Sequence, residues 1–241
     1  MTTGEGWAAA VRDRLAPGRL LPLGAAADGA WITERAARRV FDAAAAAVRG
    51  VVPGKLRIGP DPGTEPEQGP ETASGSETET APVAETFPVP PGGLPPGALR
   101  ISAEFGAVAG HPLPELAAEL RAALLAAAED GLGLVVAAVD LRVTELVDAA
   151  PRDSGPADPP PGRPSPATDE PAALVALRVE GVAGVTDALG PPVHRTPGRM
   201  RVELAVTAGH RPLDVARAVR RAVTAAAQEA TTVTVVVSEL R

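Results

Sequence analysis

Residues 100–128 (RISAEFGAVAGHPLPELAAELRAALLAAA) and 199–227 (RMRVELAVTAGHRPLDVARAVRRAVTAAA) align without a gap at a constant offset of 99. The first arginine, a glutamate, Ala-Gly-His, a later arginine and the closing alanines recur at matched places. A unit written twice must be folded twice, so the chain is constrained to an architecture with two similar strand-turn-helix pieces. The duplication also argues against one catalytic centre as the organising feature.

Around each copy the pattern extends. Leu99, Ile101, Ala103, Phe105 and Ala107 alternate with Arg100, Ser102 and Glu104, the period of a strand with one buried face. Gly110 to Pro112 turns the chain, Pro114 suits a first helical turn, and Glu115 complements the helix dipole. Leu116, Leu120, Ala123, Leu124 and Ala127 form the expected helix stripe, and Val139, Leu141 and Val143 mark a closing strand. Upstream, Trp31 to Arg49 predicts a helix capped by Thr33, with Ala36, Val40, Ala43/Ala44 and Ala47 inward and Arg35, Arg38 and Arg39 on the solvent side. Gly50 is placed to end it in a left-handed conformation, and Lys55 to Ile58 reads as a short edge strand.

The second copy has the same plan in shorter form. Ala172 to Val179 leads into Val-Glu-Gly-Val, the counterpart of Val-Arg-Gly-Val at 48–51. Met200, Val202, Leu204 and Val206 face a core from one strand, Val215, Val219, Ala222, Val223 and Ala226 from a helix, and Thr232 to Glu239 ends the chain as a strand. The expected fold class is α+β: two related small modules, each helix-strand-strand-helix-strand, joined by disordered Pro-rich linkers. A strand-helix-strand crossover of this length implies parallel flanking strands. The expected divisions are an N-terminal segment 1–30 with a short helix on Trp7, Val11 and Leu15; a first module 31–146; a linker 147–170; and a second module 171–241.

Charge is unevenly placed. Asp61 to Glu85 holds seven acidic residues and no Lys or Arg, matching the whole formal charge of −7. With its Pro, Gly, Ser and Thr, the stretch from Pro60 to Gly97 has the composition of a disordered insertion, either a spacer or an acidic interaction tail. Aromatic residues make up 2% of the chain, and neither Tyr nor Cys occurs, so cores must be built from Ala, Val and Leu, with no disulfide or thiolate metal site. No signal-peptide core opens the sequence, and the apolar run Gly131 to Val139 is too short to span a bilayer.

Three segments resemble the alkaline shock protein family of Gram-positive envelope stress-response proteins: Ile32-Thr33-Glu34-Arg35, the Val-x-Gly-Val helix exit, and Gly110-His111-Pro112-Leu113-Pro114-Glu115-Leu116-Ala117. Gly209 to Ala216 is a weaker second copy. Where the family has an aromatic before the turn glycine, Ala109 and Ala208 stand. The resemblance implies a non-enzymatic scaffold or adaptor in cell-envelope homeostasis, cytoplasmic and peripheral at the inner membrane face through a small membrane-anchored partner, with no cofactor or metal.

His111 and His210 occupy the same turn in both copies, without the companion residues that a metal or a general base requires. Glu104 and Glu203 are matched as well, which suggests a structural role on an exposed strand face. The candidate partner-binding residues are the arginines: Arg211, Arg217, Arg220 and Arg221 around the last helix, Arg35, Arg38 and Arg39 on the first. Such faces suit self-association, a partner protein or an anionic surface. The alternative is a small RNA-binding regulator, against which stands the shortage of stacking aromatics.

Overall fold

The computed structural model describes residues 18–64, 87–148, 165–227 and 231–241. Among them the fold is α+β, with four α-helices and two sheets. The strands are β1 (Leu20–Leu23), β2 (Ala30–Thr33), β3 (Val51–Pro60), β4 (Leu99–Val108), β5 (Val136–Val147), β6 (Val182–Val185), β7 (Val193–Thr196), β8 (Arg199–Val206) and β9 (Thr232–Leu240). The helices are α1 (Glu34–Ala46), α2 (Leu113–Ala126), α3 (Pro171–Ala176) and α4 (Pro212–Ala226).

Strand β4 buries Leu99, Ile101, Ala103, Phe105 and Ala107, the alternating set of a one-sided strand. It pairs antiparallel with β3 and parallel with β5 in a three-stranded sheet, order β3-β4-β5. Strand β8 likewise pairs antiparallel with β6 and parallel with β9. The second sheet, however, has six strands. Strand β7 adds a hairpin on β8, and β1 and β2 extend the far side in the order β1-β2-β9-β8-β6.

That extension corrects the start of the first helix. Trp31 and Ile32 are buried in a strand, paired in parallel with Val236 and Val237, and the helix begins at Glu34. An aromatic and a β-branched residue suit a pleated surface, and here long-range pairing outweighs the helical pattern that follows. Thr33 caps the helix as expected, its hydroxyl accepting from the Ala36 N–H at 3.3 Å. The buried stripe also differs: Ala36, Ala37, Phe41 and Ala45 face inward, while Val40 is only half-buried. A fully buried phenylalanine contributes about 3 kcal/mol of apolar burial, so Phe41 sets the rotation of the helix.

Two further differences concern extent. Strand β3 starts at Val51 rather than Lys55, with a bulge between Pro53 and Leu56. Residues 87–97, read from composition as part of a disordered insertion, are packed. Phe87 is buried with Leu20, Trp31 and Val236 on the outer face of the larger sheet, and the Trp31 Nε1–H donates to the Leu94 carbonyl at 3.1 Å. Phe87 and Leu94 anchor this Pro-rich segment where a sheet face is waiting for them, while Val89, Pro91 and Pro95 stay exposed. The expected helix on Trp7, Val11 and Leu15 lies outside the described residues, as do 65–86 and 149–164.

One continuous apolar cluster contains Phe41, Ile101 and Leu120 from around the smaller sheet and Val202, Val219 and Val235 from around the larger one. Leu213 of α4 seals the junction against Gly133. That glycine has φ +89°, and a Cβ there would lie 2.7 Å from Leu213 Cδ2.

Candidate functional site

The arginines grouped by sequence are spread over three kinds of environment. Arg211, at the N-cap of α4, donates from Nε and Nη2 to the Glu129 carbonyl at 2.9 and 2.7 Å. Arg217 grips Asp28 through Nε–Oδ1 at 2.7 Å and Nη2–Oδ2 at 2.9 Å. Arg220 places its guanidinium 4.9 Å from the centroid of the Phe87 ring, in cation–π range. Arg221 is exposed. Three of the four candidates on this helix therefore hold other parts of the same chain.

On α1, Arg35, Arg38 and Arg39 are exposed, as the helical spacing predicts. Arg38 lies 3.7 Å from Glu34 and also donates to the Leu56 carbonyl. Together with Lys55, Arg57 and Asp42 it lines an open hollow of about 380 Å³. Burial raises the Asp42 carboxyl above its ordinary range, against the pull of Arg38.

The repeated Ala-Gly-His turn touches the repeated helix exit. Gly50 and Gly181 have φ of +84° and +85°; a Cβ on Gly50 would overlap the His111 imidazole, and one on Gly181 would meet Val215 Cγ2 at 2.7 Å and the His210 imidazole at 2.9 Å. Two motifs far apart in each copy are thus one contact, a histidine ring lying on a left-handed glycine. Sequence spacing showed both glycine and histidine but not that they meet. Among the described residues no group of three or more His, Cys, Asp or Glu is placed to hold a metal.

Glu203 corrects an expectation. It is fully buried, while Glu104 on β4 remains partly exposed. Its Oε1 accepts from the Thr186 hydroxyl at 2.9 Å and the Ala188 N–H at 2.8 Å, and Oε2 accepts from the Leu189 N–H at 3.0 Å. The Thr186 and Ser238 hydroxyls lie 2.5 Å apart and share a hydrogen bond beside this carboxylate. Burial raises the Glu203 carboxyl above its ordinary range, only partly offset by these donors. The loop 186–189 has no counterpart in the first copy, which is why matched glutamates have unmatched surroundings.

The edges of the sheets differ in the same way. Arg100 pairs with Ala138 across β4–β5 and Arg199 with Thr232 across β8–β9, so Val139, Leu141 and Val143 correspond to Val233, Val235 and Val237. β2 covers β9, and the Val235 N–H donates to the Gly29 carbonyl at 3.0 Å. Among the described residues β5 pairs with β4 alone, so it is an edge of the smaller sheet, as β3 is on the other side. Val143 is 38% exposed where Val237 is 0%, and Leu146 is 67% exposed. None of the candidate arginines lies on this strand; the signal available was its length and the alternation of Val139, Leu141 and Val143 with Asp140, Arg142 and Thr144. Among the described residues no helix is long and apolar enough to cross a membrane. Comparison with family models, with curated proteins and with solved structures found no match.

Proposed function

We propose that the protein is a non-enzymatic scaffold or adaptor, built from tandem copies of one module joined by Pro-rich linkers, that holds partners through its uncovered sheet edge. The observation that carries this reading is the β5 edge: twelve residues long, paired on one side, with Val143 and Leu146 exposed. Long open edges are usually shortened, charged or covered, because they recruit other strands. A twelve-residue edge that leaves Val143 and Leu146 exposed beside Asp140, Arg142 and Glu145 fits recruitment of a strand of matching pattern.

The resemblance to alkaline shock proteins supplies the setting: the cytoplasmic side of the membrane, a small membrane-anchored partner and envelope homeostasis. The exposed Arg35 and Arg39, with the basic hollow beside Arg38, are compatible with an anionic membrane surface nearby. RNA binding by the α4 face is less well supported, since Arg211, Arg217 and Arg220 are engaged within the chain.

Cell fractionation tests the proposal. The chain is expected with the membrane fraction of its native cells, and Val143→Lys with Leu146→Asp is expected to release it. A soluble distribution of the unaltered chain, together with salt-dependent RNA binding lost in Arg221→Glu, would overturn it.

A further inference from the structure

The open edge has a specific geometry. Arg121 Nε donates to the Val139 carbonyl at 3.4 Å, so that carbonyl points away from β4. Alternation along the strand turns the backbone groups of Leu141 and Val143 the same way. In the larger sheet, the corresponding Val235 and Val237 present theirs to β2, and Arg220, the counterpart of Arg121, lies over Phe87 instead of capping a strand. Among the described residues, then, the β9 side is filled by β2 and the matching β5 side is not.

Resting on the scaffold reading, we propose that the occupant of the β5 edge is the β5 edge of a second copy, paired antiparallel about a two-fold axis at Leu141. The strand is self-complementary in that register and only there at its centre. Leu141 faces its own copy; Val139 faces Val143 of the second copy; Asp140 faces Arg142, and Arg142 faces Asp140. The outward backbone groups of 139, 141 and 143 fall on the hydrogen-bonded positions. The charged pairs fall on the intervening positions, where side chains approach most closely. Asp140 already accepts from Arg100 at 2.9 Å, so Arg142 of the second copy would complete a carboxylate held from two sides.

The helix above the edge fits the same arrangement. Ala118 and Leu125, three before and four after Arg121, share its side of α2, and both are exposed. Across the axis, two α2 helices would close over Val143 with small or apolar side chains. The joined sheet would have six strands, the number in the larger sheet of the single chain.

The test is sedimentation equilibrium of the full chain. The unaltered protein is expected to be a dimer at micromolar concentration. Arg142→Asp, which sets two carboxylates against each other at both crossings, is expected to weaken the dimer about tenfold. Asp140→Arg is expected to do the same, and mixing the two variants should restore a dimer containing one of each. That heterodimer, resolved by native mass spectrometry with one variant isotope-labelled, checks the register. A monomer at all concentrations, or a dimer insensitive to both variants, would overturn the inference. A monomer whose membrane recovery still depends on Val143 leaves the scaffold reading standing; a dimer that stays soluble in cells leaves this inference standing without it.

Discussion

Arg217 and Asp28, 189 residues apart in sequence, form a two-bond ion pair that ties the middle of α4 to the turn before β2. The Asp28 carboxylate is largely shielded while the guanidinium is 43% exposed, so solvent screens the pair in part. Burial pushes the Asp28 carboxyl up, but the Arg217 hydrogen bond and charge, with the Ala25 N–H, bring it below the ordinary range. A lowered carboxylate stabilises the fold above its unfolded pKa and loses that contribution as pH falls through the folded value. Asp28→Asn is expected to cost about 1 kcal/mol at neutral pH and to flatten this part of the acid limb of a stability-versus-pH curve. Chemical denaturation between acid and neutral pH checks it; equal acid dependence in variant and parent would refute the assignment.

Glu203 has the opposite sign. Its carboxyl is raised by burial, so its contribution is full below the unfolded pKa and declines as pH rises through the higher folded value. Removing the charge is nevertheless not a simple relief. Three donors converge on its two oxygens, and a glutamine amide must turn its NH₂ toward at least one of them. Glu203→Gln is expected to cost roughly 1–3 kcal/mol and to loosen loop 186–189, visible as faster amide exchange at Ala188 and Leu189. Unchanged exchange at those amides would show that the carboxylate does not hold the loop.

The glycine–histidine contacts predict paired behaviour. Gly50→Ala meets both a left-handed φ and the His111 ring, so a loss of about 2 kcal/mol or more is expected. His111→Ala alone should cost little, since the ring is largely exposed, and in the double variant it should recover the steric part of the loss. A double-mutant cycle in thermal unfolding measures this, and strict additivity would mean the ring does not touch the glycine. At Gly181 the same cycle with His210 should recover less, because a Cβ there also meets Val215 Cγ2 at 2.7 Å.

Trp31 is buried on the outer face of the larger sheet and donates to Leu94. Trp31→Ala is expected to destabilise the chain by about 3–5 kcal/mol and to increase proteolysis within 87–97, which it anchors. Trp31→Phe keeps most of the packing and loses only the N–H, so the protease sensitivity should stay near that of the parent. Equal sensitivity of 87–97 in all three proteins would separate that segment from the sheet face.

Local relations along the chain determined much of the fold. The alternation of Leu99 to Ala107, the Pro-Glu start of α2, the Thr33 cap and the glycine at each helix exit depend on neighbours two to four residues away, and all are legible as written. Only the tertiary structure decided what distant surfaces did with those elements. Trp31 and Ile32 became a strand because β9 offered an edge some 200 residues on; residues 87–97 became ordered because a sheet face was there to cover. Matched residues parted for the same reason: Glu203 was enclosed by a loop that Glu104 lacks, and Arg220 met a ring where Arg121 met an open strand. Spacing specifies which way a side chain points from its own backbone. What it meets depends on pairing free energy summed over the whole chain, which no local period encodes.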